Sequence, residues 1–325
     1  MIISKTPYRI SFFGGGSDYP IWYRKFSGQV LSTTIDKYIY ISCRELPKFF
    51  DHKYRIVWSK IENVKNINQI THKVVKEILI HNKIKKGLEI HYDGDLPSKS
   101  GMGSSSCFSV GLMNAVNAYK NEKISKMNLA RKTIYFEQKI LKEIVGSQDQ
   151  VAASFGGFNK IKFSKKNQIT VEKVKSKHLD RLNSNLLLIY TGIQRNAEKV
   201  AIKYVKKITN QKRENIKKIT EYVDEGEKLL IKGELKNFGK LLHEAWLQKK
   251  DLSNDITNGK IDQIYNFALK NGSYGGKLLG AGGGGFLLLY IEKHRQAKFL
   301  SKIKNLVNIP FKFSYSGSKL ILNSK

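Results

Sequence analysis

The chain has 325 residues, with 58 lysines and arginines against 27 acidic residues, and a formal net charge of +31. That length supports a substantial core and two domains. With 41% hydrophobic residues and no apolar run near the ~20 residues that a spanning helix needs, the composition suits a soluble globular protein and excludes helical membrane spans.

The excess charge is mostly lysine, scattered from end to end. No stripe of arginine and aromatic residues concentrates it on one element, so it reads as composition and no nucleic-acid partner is expected. Attraction of anionic small molecules survives that reading. Cys43 and Cys107 stand alone, outside any C-x-x-C or Cys/His cluster, which argues against structural zinc and a disulfide framework. Cys107 lies on an apolar run and reads as a buried thiol.

The opening "MIISKTPYRISFFGGG" alternates as a strand over 2–12 and meets Gly14-Gly15-Gly16 as a sharp loop. No small-residue cleavage site follows a long apolar core, so the cytoplasm is the expected location. Residues 28–46 predict a long strand or bent pair, and 54–59 a further strand. Ile67, Ile70, Val74, Val75, Ile78 and Leu79 share one helical face over 67–82. A strand is expected at 87–95, a helix from the serines near 104 to about Tyr119, and another from about Ser125 to Glu143. A loop, a short helix and a strand fill 145–163. The polar, lysine-rich stretch 164–184 is the expected boundary between domains 1–180 and 181–325. Beyond it come a buried strand "LLLIY" (186–190), four helical patterns between 194 and 271, the run "KLLGAGGGGFLLLY" (277–290), a helix near 294–306 and a last strand at 311–315. There is no internal repeat. Strands and helices interleave without strict alternation, which favours α+β.

Three glycine-rich segments stand out. The first is "PSKSGMGSSS" (97–106), which opens onto a helix. A glycine turn there exposes backbone N–H groups at the positive end of the helix dipole, which suits phosphate. An ordinary serine N-cap is the competing reading. It is not a Walker A loop, since no G-K-[ST] follows, and no H-R-D or D-F-G pair marks a protein kinase. The second, Gly280–Gly285, matches G-x-G-x-x-G, but it precedes a strand and so is not a dinucleotide motif. The third, Gly14–Gly16, follows a strand carrying Arg9, a planar cation suited to phosphate, and leads to Asp18. Asp149 lies between two glutamines, either as a helix cap or as a base facing a hydroxyl. Glu137 is a lone glutamate on a helix.

In this order the segments resemble the GHMP small-molecule kinases, the family of galactokinase, homoserine kinase and mevalonate kinase. The resemblance spans nearly the whole chain, and "TPYRISFFGGGSDYP", "GGFNKIKF" and "YTGIQRNAEKV" look closest to its heptose 7-phosphate kinase branch. It implies an α+β, two-domain fold, with an N-terminal domain like ribosomal protein S5 domain 2, a ferredoxin-like C-terminal domain and the active site between them. It implies ATP and Mg²⁺, and phosphorylation of the C1 hydroxyl of a heptose 7-phosphate; the alternatives are a fucokinase- or galactokinase-like sugar-1-kinase acting on an unphosphorylated sugar and, in another class, an RNA-binding protein using an S5-like domain. Under this resemblance Pro97, Ser98, Lys99, Ser100, Gly101, Met102, Gly103, Ser104, Ser105 and Ser106 bind ATP, and Ser105 and Glu137 are the Mg²⁺ ligands. Asp149 is the catalytic base or orienting group, and Arg9 stabilises the transferring phosphoryl. Gly15, Gly16, Ser17, Asp18, Gly282 and Gly283 are expected at the sugar. Arg195 and Lys277 are candidates for the acceptor's own phosphate. The expected partners are small molecules only, with no membrane, and the protein a monomer or homodimer.

Overall fold

The computed structural model describes residues 1–194 and 197–324. Its elements, in chain order, are β1 (Ile2–Phe13), α1 (Pro20–Phe26), β2 (Gly28–Glu45), β3 (Tyr54–Val57), β4 (Ile61–Val64), α2 (Lys73–His81), β5 (Leu88–Gly94), α3 (Ser104–Tyr119), α4 (Lys126–Tyr135), α5 (Gln148–Phe155), β6 (Phe158–Phe163) and β7 (Ile169–Lys173). They continue with α6 (Leu179–Ser184), β8 (Leu186–Tyr190), α7 (Ala197–Val205), α8 (Arg213–Lys232), α9 (Leu235–Lys250), α10 (Gly259–Lys270), β9 (Gly275–Leu278), β10 (Phe286–Tyr290), α11 (Lys293–Lys302), β11 (Val307–Asn308), β12 (Phe313–Ser314) and β13 (Lys319–Asn323).

The long strand β2 is the spine of the larger sheet. Along one edge it pairs antiparallel with β1. Along the other it takes β6 at residues 28–33, β12 at 34–35 and β5 at 39–45. β3 runs parallel to β5 and carries β4, while β13 closes the sheet on β1. Helix α3 packs on β1 and β2. Gly111 permits the approach, since a Cβ there would stand 2.9 Å from Thr6 Oγ1, and Ser4 Oγ donates to the Gly111 carbonyl at 2.8 Å. Every residue of α3 from Ser106 to Tyr119 is buried, and Cys107 is a buried free thiol.

The smaller sheet is β11-β8-β10-β9, all antiparallel. Its central strands explain their continuous apolar sequences. Leu188, Phe286 and Leu288 join the cluster around Phe238, while Leu187, Ile189, Leu287 and Leu289 join the cluster around Trp246 and Phe299. Both faces are covered, so neither needs polar residues. The α+β class expected from the sequence is present, built on two sheets. The division at residue 180 is a proposal. It separates the two sheets, except that β12 and β13 return across it to pair with β2 and β1.

Several elements differ from their sequence expectations. The helix expected over 67–82 is a 3₁₀ turn at Ile67–Gln69 and then α2. Glu62 causes the break: its carboxylate accepts from the Thr71 and His72 backbone N–H groups at 2.5 and 3.2 Å, which holds those residues out of the helix. The helix expected to reach Glu143 ends α-type hydrogen bonding at Tyr135 and continues as a π turn, Phe136–Ile140. Such a turn re-aims side chains and often marks a site; here it carries Glu137. α1, β4, β7 and β13 are short or exposed and had no expectation. Proline at the first position of α1 is a start signal that the surrounding aromatics mask.

Candidate active site

β1 delivers Arg9 to the start of α3. The Arg9 backbone N–H donates to the Met102 carbonyl at 3.2 Å, and Nη1 donates to the Gly101 carbonyl at 2.8 Å. Gly103 caps α3 in the left-handed region, with φ of 75°, and among the described residues no side chain caps the first turn. Those N–H groups therefore face outward at the positive helix end, ready for an anion. A Cβ on Gly103 would sit 3.2 Å from Asp149 Oδ2, so glycine lets the two meet.

Asp149 enters from the first turn of α5. Arg9 Nε and Nη2 donate to its Oδ1 and Oδ2 at 2.7 and 2.8 Å, a bidentate pair. Arg9 is 4% exposed and Asp149 23%, so the carboxylate remains open to a ligand. Asp18 is buried beside it. The Gly16 N–H donates to Asp18 Oδ1 at 3.0 Å, and the Gln148 N–H to Oδ2 at 3.2 Å. Burial, with a smaller contribution from Asp149, pushes the Asp18 carboxyl above the usual range. The first turn of α5 and the loop after β1 are thus tied through one carboxylate.

Glu137 lies fully buried under the start of α3. Its Oε2 accepts from Ser106 Oγ at 2.9 Å and from Gln150 Nε2, while Oε1 has no hydrogen-bond partner among the described residues. Burial pushes this carboxyl up to about 7. Ser105, one residue earlier, is exposed on the cavity. The Glu137 carboxylate and the Ser105 hydroxyl are both oxygen donors of the kind Mg²⁺ takes.

Glu137 is fully buried and outside the lining, whereas Arg9, Asp18, Ser105 and Asp149 line one cavity of about 330 Å³. Its far wall is built by the second half of the chain: Tyr204 of α7, Ile219 of α8, Lys249 of α9, Lys277 of β9, and Gly280 and Ala281. Lys277 Nζ donates to the Phe12 carbonyl at 2.7 Å, and Lys249 Nζ to the Leu278 and Gly280 carbonyls at 2.9 and 2.5 Å. Gly280 and Gly101 touch back to back, with space for no side chain at either position. The two glycine-rich loops thus form one floor.

Residues 68–157 match the GHMP kinases N terminal domain and residues 227–308 the GHMP kinases C terminal domain. The chain belongs to the GHMP kinases. It is 29% identical to a D-glycero-alpha-D-manno-heptose 7-phosphate kinase of Campylobacter jejuni, over 98% of both chains. It is 26% identical to the bifunctional fucokinase/GDP-fucose pyrophosphorylase of Arabidopsis thaliana, over 91% of this chain and 30% of that protein. A solved D-glycero-D-manno-heptose 1-phosphate kinase of Bacteroides thetaiotaomicron shares the fold, with a TM-score of 0.81, 24% identity and full coverage of both chains.

In this GHMP kinase Arg9, Gly15, Gly16, Asp18, Lys99, Gly101, Gly103, Ser104, Ser105, Ser106 and Asp149 converge on the cavity, as does Lys277. Other expected site residues do not reach it. Ser17 is fully buried in its own loop: its single hydroxyl proton lies between the Gly14 and Gln29 carbonyls, at 2.8 and 2.9 Å, and its oxygen accepts from the Gln29 N–H at 3.1 Å. Gly282 and Gly283 turn away from the cavity and pack on Ile256. The Gly283 N–H donates to the Ile256 carbonyl at 2.8 Å, and a Cβ at Gly282 would come within 2.8 Å of the Ile256 backbone. Their glycines serve close packing beneath the floor. Within the ATP loop, Met102 is core and the Ser100 carbonyl accepts from the Phe286 N–H at 3.1 Å, while Pro97 and Ser98 lie exposed beside the cavity. Arg195 lies outside the described residues. Ser11, Gln148, Tyr204 and Lys249 escaped sequence reasoning. Lys249 carried no usable signal, being one of two adjacent lysines at the end of a helix in a lysine-rich chain.

Proposed function

We propose that the protein transfers the γ-phosphoryl group of ATP to the anomeric C1 hydroxyl of D-glycero-D-manno-heptose 7-phosphate. The product would be the 1,7-bisphosphate, a precursor of nucleotide-activated heptose for surface polysaccharide. The observation that carries the reading is the Arg9–Asp149 pair held at the uncapped start of α3. An acceptor hydroxyl at Asp149 and a phosphate at the helix start would be neighbours, with a cation between them. The likeness to the Campylobacter heptose 7-phosphate kinase supports the choice of sugar.

Phosphoryl transfer asks for positioning and charge neutralisation. The Ser104–Ser106 backbone would hold the phosphates, and Arg9 would meet the charge on the transferring oxygens. Asp149 would accept the C1 hydroxyl proton as that oxygen bonds to the γ-phosphorus and the bond to the bridging oxygen of ADP breaks. An anomeric hydroxyl is more acidic than an ordinary alcohol, so an aspartate suffices. Asp18, already accepting two backbone N–H groups, would orient sugar hydroxyls. Ser105 and Glu137 would hold Mg²⁺. That ion, when bound, neutralises phosphate charge.

A second reading is a sugar-1-kinase acting on an unphosphorylated sugar, which the fucokinase likeness favours. Phosphorus NMR with Mg-ATP and a sugar panel decides between them. A new anomeric phosphate on mannoheptose 7-phosphate, with ADP released, is the expected outcome. Transfer only to sugars lacking a phosphate would replace this reading with the second.

A further inference from the structure

The cavity holds more positive charge than the reaction at Asp149 uses. Arg9 is committed to Asp149 and to the Gly101 carbonyl. Lys249 and Lys277 line the same cavity, and among the described residues each hydrogen-bonds only to backbone carbonyls and is in no ion pair, with Lys249 also over the Trp246 ring. An ammonium carries three donors; Lys277 spends one on the Phe12 carbonyl and Lys249 two on Leu278 and Gly280. Beside Phe12, the buried hydroxyl of Ser11 also lines the cavity and has no hydrogen-bond partner among the described residues. A buried lysine, a half-buried one and an unspent hydroxyl lining one cavity are a costly arrangement for an enzyme whose acceptor is neutral.

We propose that Lys277, Lys249 and Ser11 bind an anionic group carried by the acceptor itself, a phosphate monoester at the end of the sugar remote from the reacting hydroxyl. The proposal rests on the reading of the site as a sugar kinase and adds which wall selects a phosphorylated acceptor. Position supports it. Lys277 is tied to β1 at Phe12, three residues beyond Arg9, and three residues of strand cover roughly 10 Å. That is about the reach of a sugar ring with a short phosphorylated side chain. The nucleotide already has its own donors at the start of α3, on the Arg9 side. Burial, and after it the Arg9 charge, holds the Lys277 ammonium down to about 7. Burial, with Lys277 and Arg9 adding to it, also lowers Lys249. A phosphate dianion between them would restore both charges.

The test uses the full-length protein, with Lys277→Met, Lys249→Met and the charge-preserving Lys277→Arg, each checked for folding by thermal unfolding. Two readouts are taken: kcat/KM for mannoheptose 7-phosphate relative to mannoheptose, and calorimetric binding of mannoheptose 7-phosphate without ATP. The methionine variants should lower the ratio at least a hundredfold and abolish detectable binding, while Lys277→Arg stays within about tenfold of the parent. A parallel loss on both sugars, with sugar-phosphate binding intact, would overturn the proposal and assign the lysines to the nucleotide. Wild-type protein that binds mannoheptose 7-phosphate through these lysines but phosphorylates no sugar would uphold this site and overturn the kinase reading instead.

Discussion

Arg9 donates to both oxygens of Asp149, at 2.7 and 2.8 Å, and so locks the end of β1 to the first turn of α5. The pair spans 140 residues of sequence, and each oxygen keeps lone-pair capacity for a hydroxyl. The two side chains act as a unit. Asp149→Asn should lower kcat by about 10²–10⁴, the usual worth of a positioned general base. Arg9→Met should fall in the same range, and the double variant should lose much less than the product of the two, because either change alone dismantles the pair. Steady-state kinetics on the three variants checks this; turnover near the parent's in Asp149→Asn removes the base role.

Glu137 makes stability depend on pH. Its carboxyl is pushed up to about 7 by burial, against ~4.3 in an unfolded chain. Between those values the folded protein holds a proton that the unfolded chain releases. Its contribution is therefore full at low pH and is lost as pH rises toward 7. Glu137→Gln should flatten that slope, and without divalent ions it should unfold at a higher temperature than the parent above pH 7. In the parent, a Mg²⁺ held by Glu137 must displace the proton, so the Mg²⁺ concentration for half-maximal rate should rise as pH falls below 7. Thermal unfolding from pH 5 to 8 and Mg²⁺ titrations at each end read both effects.

Lys277 gives the opposite slope. A lysine at about 7 in the fold, against ~10.4 unfolded, binds fewer protons folded than unfolded across that window, so its contribution improves as pH rises through it. Arg9 and Lys249 repel its charge, while Asp149 and Asp18 lie on the same cavity. Lys277→Met should raise the unfolding temperature at pH 6–7, with the gain shrinking toward pH 10. A variant more stable yet poorer on phosphorylated acceptor would mark a charge kept for binding. A lower unfolding temperature at pH 6 would show that the Phe12 hydrogen bond matters more than the buried charge.

Two glycines near Asp18 should respond differently to alanine. A Cβ at Gly146 would stand 1.9 Å from Asp18 Oδ2, so Gly146→Ala displaces that carboxylate, costing about 1–3 kcal/mol as overpacking does and most of the activity. At Gly15 the nearest atom to a Cβ would be Gln148 Nε2 at 3.7 Å, an ordinary contact. Gly15→Ala should fold like the parent and act by placing a methyl in the cavity, raising KM for the sugar. Unfolding temperatures beside KM values separate the two.

Much of the fold could be read in the chain because local pattern and final environment agree there. The double-faced strands β8 and β10 bear their burial in their unbroken apolar runs, and the alternation of β1 marks it as a strand, although Thr6–Phe13 are all buried. Glu62 halting the helix before α2 and Gln150 reaching Glu137 have no such mark, because each depends on a partner brought in by the sheet. The same limit applies in the site. The order of its glycine loops, Arg9, Glu137 and Asp149 was visible, and with it the family.

The sequence by itself determined the class, the loop that opens α3 and the acidic and basic residues proposed for the reaction, since glycine turns and charged side chains in a specific order declare their chemistry locally. The tertiary structure alone decided which of these side chains face the cavity. It withdrew Ser17, Gly282 and Gly283 into packing, and it set Lys249 and Ser11 beside Lys277. The physical reason is that a lysine, serine or glycine looks the same in sequence whether it meets solvent, backbone or a ligand. Only the folding of α9 and β9 against β1 fixes which of these it meets.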